Sequence, residues 1–225
     1  MPTGIQYQTG AQNVNDGVPI NARGGRQGEG IFSELHGRFY EQAFRGNLFS
    51  IGHTGLVALS ANTITLTATT TPILGVWNPA TSPVNLVMTR CSLEVQLNNV
   101  TSVAPGAFVW ASSVGNTAIT TGLPPFSRLT MQTSGSQAKG FAGVTALTGL
   151  TNNLIIFEGA EFATASALST TAVAATTPTP STINVHLFDG SLIVPPGGVL
   201  ALLNTVSSVT HSVKGLLLWE EVPKA

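Results

Sequence analysis

The chain has 225 residues, of which 43% are hydrophobic and only 8% are charged, whereas charged residues make up about 25% of a typical soluble domain. Because exposed Lys, Arg, Asp and Glu keep free monomers soluble and apart, this shortage predicts that other subunits cover much of the surface. The formal net charge of −1 creates no basic field, so nucleic-acid binding is not expected.

Other classes of protein are excluded by the order of the residues. No apolar run reaches the roughly 18 residues that a membrane-spanning helix needs, so we expect no membrane partner. Residues 1–10 lack the basic start and apolar run of a signal peptide. Cys91 is the only cysteine, which excludes disulfide frameworks and cysteine-based zinc clusters.

Residues 1–47 are predicted to form an extended N-terminal arm that makes contacts between subunits. Residues 1–30 are rich in Gly, Asn and Gln and have too few large apolar groups to offset the entropy of ordering by themselves. Apolar side chains recur every four residues between 31 and 44, which indicates a helix, but Gly37 interrupts the pattern and a strand is the alternative. Buried aromatic and arginine side chains dominate interfaces, although these aromatic residues can instead belong to the domain's own core. The candidate interface residues are Arg23, Arg26, Phe32, Leu35, Phe39, Tyr40, Phe44 and Arg45.

Residues 48–225 are predicted to form an all-β domain, a jelly-roll-like antiparallel β-sandwich. Apolar and polar residues alternate in 64–67 and 93–97, as they do in half-buried strands. Turns with Pro, Gly and Asn separate many short strands, a spacing typical of sandwiches and jelly rolls. The low-complexity segment 163–182 is predicted to be a long loop. Further candidate strands are 84–88, 108–110, 154–157, 183–188, 192–194, 199–203 and 213–219.

The sequence predicts no enzymatic site, no cofactor and no bound metal. The histidines are too scattered for a metal motif such as HxH or HExxH; they are His36, His53, His186 and His211. Acidic pairs are expected to be rim charges or inter-subunit ion pairs, because no motif of an acid–base dyad surrounds them. They are Glu158 with Glu161 and Glu220 with Glu221. Cys91 follows Arg90, but adjacent strand residues face opposite sides, so a buried and inert thiol is expected.

Two groups of motifs give the chain a family resemblance. The first comprises GRFYE (37–41), RGNLFS (45–50) and NPATSPVNL (78–86), and the second GSLIVPPGG (190–198) and LLLWEEVP (216–223). Together they resemble small single-jelly-roll structural proteins of the tailed-bacteriophage virion, of the head decoration or cement type. The resemblance implies a non-enzymatic homo-oligomer, with a trimer favoured, made in the host cytoplasm. It also implies that this oligomer attaches to the major capsid protein or other virion proteins on the head surface.

Other functions stay open at this point. A single-jelly-roll major capsid protein would have the same composition, because neighbours cover lattice formers and decorators alike. A carbohydrate- or receptor-binding tail or fibre module would need exposed aromatic side chains, so the exposure of Trp77, Trp110 and Trp219 distinguishes it. A cupin-type enzyme would need two or three histidines and a glutamate at close spacing on facing strands, and the sequence lacks them.

Overall fold

Strands account for nearly all regular structure in the part of the chain that the computed structural model describes. That part comprises residues 39–58, 65–97, 107–133, 135–143, 145–160, 181–205 and 211–224. Its one helix is α1 (Tyr40–Phe44). The strands are β1 (Leu48–Gly52), β2 (Val57–Ala58), β3 (Thr69–Thr70), β4 (Leu74–Trp77), β5 (Val84–Leu97), β6 (Phe108–Ser113), β7 (Phe126–Ser127), β8 (Lys139–Ala142), β9 (Leu147–Thr148), β10 (Ile155–Ala160), β11 (Ser181–Leu187), β12 (Ile193–Val194), β13 (Val199–Asn204) and β14 (His211–Pro223).

Eight of these strands form four antiparallel pairs that are nested along the chain, as in one long hairpin folded over on itself. The first pairs with the last, β1 with β14, and the nested couples inside it are β4 with β13, β5 with β11 and β6 with β10, all antiparallel. The couples alternate between a sheet of order β11-β5-β14-β1-β7 and a sheet of order β10-β6-β13-β4-β8. Nested pairing divided between two packed sheets is the jelly-roll arrangement. The predicted all-β, jelly-roll-like sandwich is therefore confirmed.

A β-bulge keeps the apolar side chains of β5 on the inner face of its sheet. Leu218 of β14 lies opposite Arg90, whereas Trp219 lies opposite Met88, so Thr89 is the extra residue. Its hydroxyl donates a hydrogen bond to the carbonyl of Leu218 at 2.9 Å. Because the bulge shifts the alternation by one residue, side chains on both sides of it point into the core. The buried members are Leu86, Met88, Cys91, Leu93 and Val95.

A second apolar layer covers the outer face of the five-stranded sheet. Ile119, Phe141 and Leu147 pack there in a cluster separate from the inter-sheet core. Fully buried Asn116 fastens this layer, because its Oδ1 accepts hydrogen bonds from the backbone N–H groups of Thr151 and Asn152 at 2.9 and 3.2 Å. The apolar side chains on this face of the sheet are therefore buried within the chain itself.

The structure differs from the sequence-based expectations at several places. Thr65 to Thr67 lie outside any strand, and Ser181 and Thr182, expected in a loop, pair with β5. The strand expected at 213–219 is longer, because β14 continues through both glutamates to Pro223. Glu221 is buried rather than at the rim, and its carboxylate accepts hydrogen bonds from the Ser136 hydroxyl and the Gln137 N–H. Residues 1–38 of the predicted arm lie outside the described residues.

His53 joins the end of β1 to β14 through a pair of hydrogen bonds. Its backbone N–H donates to the carbonyl of Gly215 at 3.0 Å, and its Nδ1 accepts the N–H of Gly215 at 2.9 Å. Since Nδ1 is the acceptor, the ring is neutral with its proton on Nε2. Burial lowers the pKa of His53 from 6.5, and hydrogen bonding to the backbone of Ile73 and Gly215 only partly opposes that effect.

We expect the stability to fall as the pH drops below the usual histidine pKa of 6.5. Below that pH the unfolded chain takes up a proton that folded His53 refuses until its own lower pKa is reached, so protons favour unfolding. Urea denaturation at a series of pH values measures this loss. His53→Asn retains an acceptor near the position of Nδ1 but cannot titrate, so its unfolding free energy should depend less on pH than that of the wild type. Equal dependence in both proteins would contradict this role of His53.

Candidate functional site

The described residues do not assemble an acid–base or metal-binding cluster. No group of three or more His, Cys, Asp or Glu side chains in this part of the chain could hold a metal ion. His186 Nε2 lies 3.9 Å from Glu158 Oε1, a contact between only two ionisable groups. Cys91 is fully buried, as predicted, and burial raises the pKa of its thiol. No helix among the described residues has the length and apolar character to span a membrane.

All three tryptophans of the chain lie in the core. Trp110 and Trp219 have no exposed surface, and Trp77 is only 8% exposed. A sugar-binding site of the stacking type needs the face of an aromatic ring open to solvent. None of these indoles provides one.

A shallow groove of about 280 Å³ crosses the outer face of the larger sheet. Gly52, Ile183 and Leu216 are among the residues that form its walls, and Glu94 and Lys214 stand opposite each other in the β5–β14 register. His53 also contributes to the lining, but its Nδ1 is already bonded to Gly215. The groove therefore offers one acid and one base on a mainly apolar wall, without convergent polar groups for a small molecule.

The edge strands β10 and β11, one in each sheet, both carry exposed apolar side chains. Strand β11 turns Asn184 and His186 inward, so its alternate side chains face solvent. In β10, a register shift between Ile156 and Glu158 leaves Phe157 outside the ladder with β6. The side chains of what we call the β10–β11 surface are 40–72% exposed. They are Ile155, Ile156, Phe157, Ile183, Val185, Leu187 and Ile193.

A second apolar surface occupies the opposite edge of the larger sheet. Strand β7 ends that sheet, whereas β11 ends it on the other side. Gly46, just after α1, lies against Leu129, since a Cβ at Gly46 would be 3.4 Å from Leu129 Cδ2. The members of this β7 surface are 37–71% exposed. They are Phe44, Leu123, Phe126, Leu129 and Met131.

Met131 gives the β7 surface an unusual backbone. Its φ is 58°, in the left-handed region that residues other than Gly, Asn and Asp seldom adopt. Its side chain is nevertheless 71% exposed, so burial of the side chain does not explain the conformation. Such strain often occurs at binding sites, where the surrounding structure fixes the backbone. The turn therefore presents a large apolar side chain to solvent at a conformational cost.

Charged residues accompany both surfaces. Segments 155–160 and 181–194 contain Glu158 and Asp189 but no Lys or Arg, whereas segments 42–47 and 123–133 contain Arg45 and Arg128 but no Asp or Glu. Burial, and then the neighbouring positive charge of Arg90, lower the pKa of Arg128. Arg90 is itself exposed and pairs with Leu187 of the β10–β11 surface, so an arginine lies beside each surface.

The structure describes half of the interface residues predicted from the sequence. Arg23, Arg26, Phe32 and Leu35 lie outside the described residues. Phe39 immediately precedes α1 and is half-buried, and Tyr40 is the first residue of that helix. Phe44 is 63% exposed and belongs to the β7 surface, and Arg45, which follows it, is also exposed. The β10–β11 surface was missed, because its residues were interpreted only as strands.

Comparisons with protein-family models, with curated proteins and with solved structures found no match for the chain.

Proposed function

We propose that the chain is a non-enzymatic structural subunit of a tailed-phage virion, a capsid decoration, cement or minor head protein that forms homo-oligomers. The observation that carries the proposal is the presence of two apolar surfaces at opposite edges of one closed sandwich. Exposed apolar patches with polar surroundings mark sites of association. The shortage of charged residues and the resemblance of the motifs to virion proteins support the same function.

The mechanism of such a subunit is mechanical. The jelly roll provides a body with two buried apolar clusters, one between the sheets and one on the outer face of the smaller sheet. Its edges hold neighbouring subunits, and residues 1–47, with their predicted contacts, extend the attachment to the capsid lattice. Apolar area buried at these contacts contributes about 25 cal/mol per Å² before the entropy of association is subtracted.

The structure favours this function over a sugar-binding module. All three indoles are buried, and the exposed aromatic rings among the described side chains are those of Phe44, Phe126 and Phe157. A single-jelly-roll major capsid protein fits the two apolar edges equally well. Negative-stain microscopy of the purified protein separates the two, because a lattice former builds closed shells and a decorator stays as discrete small oligomers.

We expect the purified full chain to elute as an oligomer in size-exclusion chromatography with light scattering at near-physiological salt. A trimer has three times the 23.2 kDa mass of the chain. When the chain is produced together with the head proteins of its virus, it should sediment with the assembled heads through a density gradient. A protein that stays monomeric at high concentration and does not sediment with heads would contradict the proposed function.

A further inference from the structure

We infer that two copies of the chain join edge to edge, with β11 of one copy paired antiparallel to β11 of the other about a two-fold axis at Val185. The inference rests on the proposed self-association and names the strand that carries it. Because β11 ends the larger sheet, the contact makes the larger sheets of two copies into one continuous sheet. A two-fold contact of this kind closes on two copies, so it predicts an even number of subunits rather than the trimer that the resemblance favours.

The outer edge of β11 presents backbone groups that no described residue bonds. The N–H of Phe188 donates to the carbonyl of Thr89, next to the part of β5 that pairs with β11, at 3.0 Å. Since successive backbone groups of a strand point to opposite sides, those of Ile183, Val185 and Leu187 point away from β5. The three residues are 54–72% exposed, so this edge is open to solvent. Such an unpaired row of N–H and C=O groups is a template for a further strand.

The other end strands of the two packed sheets are each protected against such pairing. β7 is only two residues long. The outer edge of β8 is already bonded, because Leu123 donates to and accepts from the backbone of Gly140 at 2.7 and 2.8 Å. β10 has a register shift between Ile156 and Glu158 and carries the charge of that glutamate. Short strands, bulges and charges keep edges from pairing. β11 has none of these devices, since its seven residues pair with β5 in unbroken register and include no Pro, Lys, Arg, Asp or Glu.

The sequence of β11 matches itself when two copies run antiparallel with Val185 opposite Val185. Ile183 of each copy then lies opposite Leu187 of the other, so every pair on the outer face is aliphatic. The outward backbone groups of these three residues meet, so the two members of each pair exchange both N–H···O bonds. On the inner face the same register places Asn184 opposite His186, a polar side chain beside a polar one. Cross-strand pairs of matched character stabilise a sheet, and a second copy supplies all of them.

The charges beside β11 favour the antiparallel register over a parallel one. Ile183 pairs with Glu94 of β5, and Leu187 pairs with Arg90. In the antiparallel dimer the row that holds Glu94 of one copy therefore continues to Arg90 of the other. A parallel contact would instead align Arg90 with Arg90, and Arg128, whose charge also acts on Arg90, would add to the repulsion. Like charges brought together at an interface suppress the wrong pairing.

Charge variants at Val185 test the inference by complementation, because a residue on the two-fold axis faces its own copy. Val185→Lys and Val185→Glu should each be monomeric by light scattering, since each places like charges opposite each other. An equimolar mixture of the two should form dimers of twice the 23.2 kDa chain mass, because the introduced charges then attract. Leu56→Lys and Leu56→Glu are the matched controls and should assemble as the wild type does. Leu56 is 53% exposed but lies outside β11.

Cysteine variants test the register itself. Opposed residues of a hydrogen-bonded antiparallel pair have Cα atoms about 5.5 Å apart, which a disulfide can bridge. Val185→Cys should therefore give a linked dimer under mild oxidation. Ile183→Cys and Leu187→Cys should each stay unlinked alone and form a mixed dimer when combined. Native Cys91 is buried and gives no background. Linked dimers of Ile183→Cys alone would indicate a parallel contact and overturn the inference.

The outcomes separate the inference from the proposed function. A wild type that is monomeric and does not sediment with heads removes both. A wild type that sediments with heads but is monomeric, or has an odd number of copies, overturns the β11 contact alone. Assembly that persists in both charge variants at Val185 does the same. If a charge variant misfolds by circular dichroism, the cysteine variants decide between these outcomes.

Discussion

Replacing Trp110 with alanine is expected to lower the free energy of unfolding by about 3–5 kcal/mol, the usual cost of removing a buried aromatic side chain. Trp110 lies between the sheets with no exposed surface. Its ring meets that of Phe188 edge to face, with centroids 5.1 Å apart. For a chain of this size, the midpoint of thermal unfolding should fall by roughly 6–20 °C. Urea denaturation and a thermal melt measure both quantities.

Trp110→Phe is the matched control. Its smaller ring retains much of the packing and removes an indole N–H that finds no acceptor among the described residues. We expect a loss of less than about 2 kcal/mol, because the smaller cavity is partly offset by the removal of a buried unsatisfied donor.

The Trp110 variants also test the alternative that the chain is a sugar-binding module. If Trp110 were a sugar-stacking residue on the surface, its removal would change the unfolding free energy by less than about 0.5 kcal/mol. A loss that small for Trp110→Ala would contradict the position of the ring and revive the binding-module alternative.

Most strands with strong local patterns were predicted from the sequence, although the alternating residues 65–67 lie outside any strand, whereas β4 was not predicted. β4 is only four residues long and contains Gly75. Glycine has a low intrinsic preference for strands. The structure shows why glycine is needed there, because a Cβ at Gly75 would lie 2.9 Å from the carbonyl oxygen of Leu200 in β13. A close approach between strands so far apart in the chain leaves no signal within either segment.

The faces of β11 were also beyond sequence reasoning. Alternation alone predicts that Ile183, Val185 and Leu187 face a core and that Asn184 and His186 face solvent. The structure has the reverse order: Ile183 is 72% exposed, while the ring of His186 packs against Phe188 with centroids 4.6 Å apart. β11 is the edge strand of the larger sheet, and its inward face packs His186 against Phe188 and Trp110, so its apolar side chains face outward. Only the tertiary arrangement distinguishes such a surface from a core.

Among polar substitutions, Asn78→Asp is expected to lower the free energy of unfolding the most. Asn78 follows β4 directly and is fully buried. Its Nδ2 donates to the carbonyl of Val84 at 2.8 Å and to that of Val194 at 3.1 Å, which ties the start of β5 to β12. A carboxylate has no hydrogen to donate and would face two carbonyl oxygens. At pH 7 we expect a loss of about 3–5 kcal/mol, the cost of an uncompensated buried charge.

The pH dependence distinguishes the charge from the lost hydrogen bonds. In the folded Asn78→Asp variant, burial beside carbonyl oxygens should raise the pKa of the new carboxyl group above the unfolded value of about 3.9. Between these two pKa values the folded state keeps a proton that the unfolded state has lost, so stability falls as the pH rises. The protonated acid also donates one hydrogen bond, so the loss should be smaller near pH 4.5 than near pH 7.5.

Asn78→Ala supplies the control, because it removes the same two donors without adding a group that titrates. Asn78→Ala should lower the free energy of unfolding by about 1–3 kcal/mol relative to the wild type, and this difference should be the same at every pH. Comparison of both variants with the wild type at each pH cancels the titration of His53, which all three proteins share. If the two variants differ in unfolding free energy by the same amount from pH 4.5 to 7.5, the introduced carboxyl group has the same pKa in the folded and unfolded protein. The junction between β4, β5 and β12 would then be open enough for water to enter, which the complete burial of Asn78 argues against.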